Sequence, residues 1–247
     1  MDFHKYLTRI GVGAPPNADL ETLELLQRAH LTAVPFENLH IFHRRGVETS
    51  IDWSIPKIVE DERGGWCFEL NGAFASLLSA VGFEVKLLAA TVLYGRTSSI
   101  PTHLTIEVRL DRPYLVDVGF GDSFIRPLPL DTPGPHDGGS GSYGFDSADG
   151  TTTLVSHEEG KVVEHYRFDR EARKLTDFDE ASTYLQTEPG LQWTESPFAT
   201  RLLDCGPNRV TLLEDRLKFR RDGQWTEHPI TASEWPSTLQ RWFGMTP

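Results

Sequence analysis

Residues 63–80 of the chain read RGGWCFELNGAFASLLSA, and they place one of only two cysteines between a glycine pair and a helical pattern. Apolar residues recur at helical spacing from Leu70 to Val81 and Gly82 follows, which predicts an amphipathic helix that begins near Cys67 and ends at a glycine cap. A cysteine in the first turn of a helix lies near the positive end of the helix dipole, which favours thiolate over thiol. Cysteine is also among the most often buried residues. The local pattern alone therefore favours a packing role for Cys67 over a reactive one.

The chain before this helix is also predicted to be helical. Asn17 to Asp19 can cap a helix that runs to about Leu31, since apolar residues follow near a 3.6-residue period. Ser54-Ile55-Pro56 predicts the start of a second, short helix, because proline suits an early helical position. The part of the chain up to about residue 82 is therefore expected to be a group of helices.

Strands are predicted after residue 82, where the apolar period changes from about 3.6 to 2. Residues 129–150 contain six glycines and three prolines, which predicts a surface loop or a poorly structured insert. Residues 181–198 are interpreted as a linking segment, and a closing helix is expected near Thr231 or Ser233. The predicted strands are 84–94, 103–110, 113–120, 209–213, 216–221 and 225–230. Helices, then antiparallel strands, then a mixed region indicate an α+β fold rather than alternating βαβ units.

The composition of the 247-residue chain narrows the classes of partner and compartment. With 24 basic and 36 acidic residues the net charge is −12, which argues against nucleic acid or a membrane surface as a partner. No apolar run reaches the roughly 18 residues of a membrane-spanning helix, and the first residues lack a secretory pattern. Two cysteines make no disulfide framework, so Cys67 and Cys205 are expected to be free thiols in a reducing cytoplasm.

A reactive cysteine needs a base, and the base needs a group that orients it. Among nine histidines, His103 opens one predicted strand, and Asp117 lies among apolar residues of the next, where a lone carboxylate would be costly. A two-residue hairpin loop puts the two side chains on opposite faces. A three-residue loop at 110–112 pairs Thr105 with Asp117 and makes His103 a diagonal neighbour within side-chain reach. The spacing permits a His–Asp contact without requiring it.

No metal or nucleotide fingerprint is found. The sequence has no CxxC or HExxH pattern, and the two histidines of HIFH at 40–43 are a weak signal by themselves. The glycine pairs at 11–13 and 119–121 do not open a βαβ unit, so neither indicates a dinucleotide site or a P-loop.

Several stretches together resemble the arylamine N-acetyltransferase family. RGGWCFELN resembles its nucleophile motif, HLTIEV its histidine strand and LVDVGFG its aspartate strand, while YLTRIG and VPFENL resemble two N-terminal signatures. In this chain the five stretches lie at 63–71, 103–108, 115–121, 6–11 and 34–39. The resemblance runs in order from about residue 3 to 125 and continues loosely to the last residues. Five motifs in order are more specific than any one of them.

The resemblance implies three structural parts. A helical bundle that carries the nucleophile is expected at 1–82, and a central antiparallel β-barrel that carries the histidine and the aspartate at 83–180. A linking segment and a C-terminal α/β lid are expected at 181–247. The site would lie where the first two parts meet and hold a Cys-His-Asp triad like that of cysteine proteases.

The resemblance also implies a ping-pong acyltransferase of xenobiotic metabolism. Cys67 would take an acetyl group from acetyl-CoA, the cosubstrate, and pass it to the nitrogen of a small aromatic amine or hydrazine. His103 would be the base and Asp117 would orient it, with no metal involved. The oligomeric state is left open, with a homodimer as one possibility.

Further residues receive roles from the resemblance alone. Phe36 and Phe120 are expected as apolar walls around the acceptor ring. Glu37 and Arg63 are expected to form an ion pair that holds the nucleophile loop. The expected contacts with CoA are Thr102, Gly119, Gly121 and Phe198.

Three other functions fit parts of the pattern. An amide synthase of the same fold would act on a polyketide or carrier-bound acyl chain in place of acetyl-CoA. A hydrolase or transglutaminase-like enzyme would use the same triad, which recurs on unrelated folds. A protein that keeps the fold for binding alone would have an unreactive Cys67.

Overall fold

The computed structural model describes residues 3–14, 17–95, 98, 100–158 and 160–247. Its helices are α1 Phe3–Arg9, α2 Leu20–Ala33, α3 Leu39–Phe42, α4 Ile51–Val59, α5 Cys67–Val81, α6 Asp179–Thr187, α7 Gln192–Glu195 and α8 Trp235–Phe243. Its strands are β1 Phe36–Glu37, β2 Glu84–Val92, β3 His103–Arg109, β4 Pro113–Val116, β5 Leu128–Pro129, β6 His136–Asp137, β7 Ser142–Ala148, β8 Thr151–Glu158, β9 Lys161–Phe168, β10 Ala199–Leu202, β11 Arg209–Leu212, β12 Arg216–Arg221 and β13 Gln224–Pro229.

Two of the predicted helices begin and end as expected. The Asp19 carboxylate caps α2 by accepting a hydrogen bond from the Thr22 amide at 2.9 Å. Helix α5 begins at Cys67 and ends at Gly82, whose φ of 111° is a left-handed conformation that suits glycine. Buried residues of α1, α2, α4 and α5 share one apolar core with strands β3 and β4. This core fixes α5, and with it Cys67, against the sheet.

The predicted start of the second helix is wrong. Helix α4 begins at Ile51, because the Ser50 side chain caps it by accepting from the Asp52 amide at 3.2 Å. Pro56 therefore lies inside the helix and not in its first turn. Ser54 donates its hydroxyl back to the Ser50 carbonyl at 2.9 Å, as an interior serine of a helix often does.

The central part of the molecule is a strongly curved antiparallel sheet. Within the described residues its strands follow the order β5-β4-β3-β2-β9-β8-β7-β6, and the end strands β5 and β6 approach each other to give a nearly closed barrel. Large apolar side chains of β2, β4, β8 and β9 fill the interior of the barrel. The α+β class and the central antiparallel barrel are thereby confirmed.

The prediction of a loop or insert at 129–150 is wrong. This segment holds β6 and β7, and β7 pairs along its whole length with β8. Asp149 and Gly150 connect the two strands with positive φ angles of 51° and 78°. Asp-Gly between strands is a strong signal for a tight hairpin, and the other glycines of the segment obscured it.

A second antiparallel sheet follows the barrel, with the order β1-β10-β11-β12-β13 in the described residues. Helix α8 packs on one face of this sheet through Leu239 and Phe243, which matches the expected α/β lid. No sequence pattern predicts β1, which comes from the N-terminal part and pairs Phe36 with Thr200 of β10. The division at 1–82, 83–180 and 181–247 stays a prediction.

The segment 181–198, interpreted from the sequence as a linking segment, is not an irregular loop, and its role as a link between the parts stays a prediction. Most of it folds as α6 and α7, and Asp179 and Glu180 lie in the first turn of α6, where acidic side chains favour a helix. Residues of α6 and α7 form one wall of the cavity described below. Among the described residues, no helix is both long and apolar enough to cross a membrane.

Candidate active site

The turn before α5 holds Cys67 at the base of a cleft. A Cβ on Gly64 would collide with the Pro35 carbonyl, and a Cβ on Gly65 would lie 2.6 Å from the Glu69 carboxylate. Gly64 therefore lets the chain pass close to Pro35, and Gly65 leaves room for the Glu69 side chain. Glu69 also accepts a hydrogen bond from the Trp66 amide at 3.3 Å, which caps the helix. Cys67 is only 3% exposed, yet it lines the cavity of the candidate site.

The hairpin of β3 and β4 brings His103 and Asp117 together. Arg109 pairs with Pro113 and Ile106 with Val116, so the loop has three residues. This is the loop length that puts His103 within reach of Asp117. Strand β4 ends at Val116, earlier than predicted, because the chain turns at Asp117. The His103 Nε2 atom lies 2.7 Å from the Asp117 Oδ2 atom.

Asp117 is a buried carboxylate with four hydrogen-bond donors. Its Oδ2 atom accepts from His103 Nε2 at 2.7 Å and from the Tyr166 hydroxyl at 3.0 Å. Its Oδ1 atom accepts from Asn71 Nδ2 and from the Gly119 amide, both at 2.9 Å. Burial raises the pKa of Asp117, but the His103 charge and the bonds from His103, Asn71 and Gly119 hold it below its ordinary value. The carboxylate is therefore ionised at neutral pH.

His103 is held in its charged form by the same contacts. Burial alone lowers the pKa of His103, because a charged imidazolium loses hydration. The charge and hydrogen bond of Asp117, with a smaller contribution from a hydrogen bond with Cys67, reverse this and raise the pKa of His103 to about 10. Since Nε2 is bound to Asp117, Nδ1 is the nitrogen left for Cys67. A positive charge beside a cysteine favours the thiolate.

Two residues of this network were not found by sequence reasoning. Asn71 follows Cys67 by one helical turn and is fully buried, and besides Asp117 it bonds the Leu104 carbonyl at 2.5 Å and the Val118 amide at 2.9 Å. The signal for Asn71 was available, because residues i and i+4 share one face of a helix. Tyr166 comes from β9, which β2 and β3 separate from β4 in the sheet, so only the tertiary fold brings its hydroxyl to Asp117.

The cavity above Cys67 and His103 measures about 350 Å³. Its lining is mostly aromatic and apolar, and His103 is the only ionisable side chain other than cysteine and tyrosine among the described lining residues. Phe120 packs edge-on against His103, with ring centres 5.0 Å apart, and Tyr94 packs on Phe120 at 5.8 Å. The aromatic lining residues are Phe36, Tyr94, Phe120, Tyr184 and Trp193. A flat, uncharged aromatic molecule fits such a lining.

Of the four residues expected to contact CoA, two line the cavity and two do not. Thr102 and Gly119 line the cavity, and the Thr102 carbonyl lies 3.8 Å from the Cys67 sulfur. Gly121 and Phe198 lie beside Phe36, since a Cβ on Gly121 would be 3.2 Å from the Phe36 ring and the Phe198 ring centre is 5.5 Å away. Gly121 and Phe198 therefore support the wall that Phe36 forms. Their contacts with CoA stay a prediction.

Glu37 and Arg63 do not form the predicted ion pair within the described residues. Glu37 Oε1 lies 3.8 Å from Lys57 Nζ, and that ammonium also binds Glu69 at 2.8 Å. Arg63 instead donates to the Thr246 carbonyl at 2.8 Å. Lys57 is thus the cation beside Glu37, where the sequence interpretation expected Arg63.

Gly119 tests how tightly the site is packed. We expect Gly119→Ala to lower the free energy of unfolding by about 3 kcal/mol, the upper part of the range for overpacking, and to reduce kcat. The added Cβ would lie 2.7 Å from the Cys67 Cα atom and 2.8 Å from Asn71 Nδ2, so the nucleophile helix must shift. Urea unfolding and steady-state kinetics measure the two effects. Gly13→Ala is the matched control, since nothing lies within 4 Å of its Cβ position. Equal stability of the two variants would contradict this packing.

No group of three or more His, Cys, Asp or Glu side chains that could hold a metal ion occurs within the described part of the chain. Both cysteines are free, Cys67 buried and Cys205 exposed. The Cys67 thiol and the His103 imidazolium line the cavity, and the buried Asp117 carboxylate lies behind His103.

Comparison with known proteins agrees with this geometry. A family model described as N-acetyltransferase matches residues 19–246. The chain is 34% identical to an arylamine N-acetyltransferase of Mycolicibacterium smegmatis, over 92% of this chain and 85% of the relative. It is 30% identical to arylamine N-acetyltransferase 1 of Homo sapiens, over 95% of this chain and 90% of the relative.

A solved structure supports the same assignment at the level of the fold. The Mycobacterium marinum arylamine N-acetyltransferase in complex with CoA matches with a TM-score of 0.90 at 28% identity, over 98% of this chain and 92% of the other. The family model and the identity to the relatives extend over most of the chain. The chain therefore belongs to the arylamine N-acetyltransferase family and is an acyltransferase.

Proposed function

We propose that the chain transfers an acetyl group from acetyl-CoA, through a thioester on Cys67, to the nitrogen of small aromatic amines or hydrazines. The observation that carries this proposal is the position of Cys67 beside the His103–Asp117 pair, at 2.7 Å between Nε2 and Oδ2, in one aromatic cavity. Family membership supports the same reaction. His103 is the proposed base and Asp117 its positioning residue.

The first half-reaction loads the cysteine. The Cys67 thiolate attacks the carbonyl carbon of the acetyl thioester, and the bond between that carbon and the CoA sulfur breaks. The departing CoA thiolate takes the proton of the His103 imidazolium and leaves as a thiol. His103 is then neutral, and its Nδ1 atom can accept a proton. The short hydrogen bond between Nε2 and Asp117 keeps the His103 ring in place through this change.

The second half-reaction transfers the acetyl group from Cys67 to the acceptor. The acceptor nitrogen attacks the thioester carbon, and neutral His103 takes a proton from that nitrogen. The carbon–sulfur bond to Cys67 breaks, which gives the amide and restores the thiolate–imidazolium pair. Arylamines suit this step because they are weak bases and are already neutral at pH 7.

The walls of the cavity support an aromatic acceptor. Phe36 and Phe120 line it together with Tyr94, and the described lining offers no charged side chain other than His103 to compete for the amine. We propose that the acceptor ring lies between Phe36 and Phe120. The exposed rim residue Tyr94, at 53% exposure, would then contact the outer part of the ring.

A reduced Cys67 is necessary for this chemistry, so we infer that the enzyme works in the cytoplasm, where thiols stay free. Neither nucleic acid nor a membrane takes part in the proposed reaction.

Intact mass spectrometry tests the proposal. The purified chain mixed with acetyl-CoA and no amine should gain the mass of one acetyl group and lose it when an arylamine is added. An absent adduct would overturn acetyl-CoA as the donor. Rapid loss of the adduct to water without amine would instead indicate a hydrolase.

A further inference from the structure

A buried lysine lies next to the turn that carries Cys67. Lys57 of α4 is 4% exposed, and its ammonium donates to both carboxylate oxygens of Glu69, at 2.8 and 3.0 Å. Glu37 Oε1 lies 3.8 Å from the same ammonium, so two buried carboxylates share one cation. Such a cluster adds little stability, because the desolvation of its charges costs about as much as their attraction returns. The geometry that the cluster imposes explains it better than stability does.

Glu69 transmits the position of α4 to the first turn of α5. Its Oε2 atom accepts a hydrogen bond at 3.3 Å from the amide of Trp66, the residue directly before Cys67. Its Oε1 atom accepts a second bond from α4, at 2.9 Å from the indole nitrogen of Trp53. Lys57 and Trp53 of α4 therefore hold the carboxylate that caps the nucleophile helix.

Glu37 connects the same ammonium to β1, the strand that supplies the cavity wall Phe36. The Glu37 amide donates to the Gly65 carbonyl at 2.9 Å, and Phe36 forms a parallel bridge with Gly65. The Glu37 Oε2 atom accepts from the Leu39 amide at 2.5 Å, so the carboxylate is fixed at the end of β1. A displacement of the Glu37 carboxylate would therefore move the wall as well as the nucleophile turn.

We propose that Lys57 is a positioning residue that sets the Cys67 thiol against the Phe36 wall by holding Glu37 and Glu69 on one ammonium. Without the ammonium, the two buried carboxylates repel each other, and the start of α5 shifts relative to β1. A misplacement of about 1 Å at a reacting group can lower a rate about 10²-fold. The proposal rests on the proposed function, because it requires Cys67 to be the residue that takes the acyl group.

The test uses p-nitrophenyl acetate, an activated ester whose acetyl group passes to Cys67 as p-nitrophenolate leaves. The amplitude of the nitrophenolate burst counts the competent sites, and its rate constant measures the reactivity of each site. Lys57→Gln should keep the amplitude and lower the rate constant about 100-fold. With acetyl-CoA as donor, its KM for an arylamine should rise. Loss of folded protein alone would lower the amplitude and leave the rate constant and the KM unchanged.

A second variant restores the charge balance without the lysine. The native cluster holds one cation and two carboxylates, so Lys57→Gln leaves both carboxylates without a cation. Lys57→Gln combined with Glu69→Gln has the same net charge as the native cluster, and glutamine at this helix position still caps. Because neighbouring residues are not additive, the double variant should recover a rate constant within about tenfold of wild type. If the single variant does not fold, the double variant decides.

An exposed ion pair at the end of the same helix is the matched control. Lys5 lies 3.5 Å from Glu60, and both side chains are 61% exposed. Lys5→Gln should change neither the amplitude nor the rate constant. A normal rate constant in Lys57→Gln, or a double variant that is unfolded or still about 100-fold slow, would overturn the positioning role. Wild-type protein that p-nitrophenyl acetate acetylates and acetyl-CoA does not would overturn the proposed donor instead.

Discussion

Cys67→Ala is expected to abolish acetyl transfer, with a loss on the order of 10⁶-fold in kcat, as the loss of a triad nucleophile gives in other enzymes. In the proposed mechanism every acetyl group passes through the Cys67 sulfur. The remaining cavity can still bind acetyl-CoA and an arylamine, but the two would have to react directly. Amide formation in steady state and the mass adduct after mixing with acetyl-CoA both measure this loss.

The Cys67→Ala variant should stay folded, so that its loss of activity reflects the missing nucleophile and not unfolding. Cys67 is 3% exposed, and the bond from its sulfur to the backbone, to the Thr102 carbonyl, has the long distance of 3.8 Å. Alanine is also the best helix former, and Cys67 is the first residue of α5. A melting temperature within a few degrees of wild type is expected. Cys205→Ala removes the exposed thiol and is the control that should keep full activity. An acetyl adduct that persists in Cys67→Ala would place the acyl group on another residue.

The elements that could be predicted best from the sequence are those whose limits are set by residues close together in the chain. The helix at Cys67 has an apolar stripe and a glycine cap, and both sit within 16 residues, so its limits were readable. The strand at 142–148 was hidden because glycines there serve close packing: a Cβ on Gly144 would lie 2.8 Å from the Pro133 carbonyl. Glycine-rich sequence therefore indicated a loop where the fold needs a tightly packed strand.

The hydrogen-bond network of the candidate site could likewise be predicted from the sequence only in part. The hairpin of His103 and Asp117 was derivable because its geometry depends on one loop length. Tyr166 lies 49 positions from Asp117, and Lys57 rather than Arg63 meets Glu37, since these contacts depend on how helices and barrel pack. Sequence patterns gave the reacting residues, and the residues that hold them in place required the tertiary structure.

Asp117→Asn is expected to lower kcat/KM about 10⁴-fold, the effect of the equivalent change in another triad. The carboxylate accepts bonds from His103, Tyr166, Asn71 and the Gly119 amide. An amide offers only one acceptor oxygen, so two of these donors must meet an NH₂ group. The charge that stabilises the imidazolium is lost as well. Steady-state kinetics with acetyl-CoA and an arylamine measure the change.

A pH profile separates this electrostatic role from a loss of fold. Because Asp117 raises the pKa of His103 to about 10, wild-type His103 keeps its proton as the pH rises through 6.5 and loses it only near pH 10. Alkylation of Cys67 by iodoacetamide should therefore stay fast from pH 9 to well below pH 7. In Asp117→Asn burial dominates, His103 becomes neutral near pH 7, and the alkylation rate should rise with pH as for an ordinary thiol with a pKa near 8.5.

Tyr166→Phe is the matched control for this prediction. It removes one hydrogen bond to Asp117 Oδ2, at 3.0 Å, and leaves the carboxylate charge and its bond to His103 in place. The loss of one neutral donor to a charged acceptor corresponds to about 1.5–3 kcal/mol, so kcat/KM should fall about tenfold to a hundredfold, with a flat alkylation profile. Asp117→Asn should therefore lose more activity than Tyr166→Phe, and its alkylation rate should depend more steeply on pH. Equal losses and a flat profile in both variants would mean that Asp117 acts by packing alone, and the imidazolium would then need another source of stabilisation.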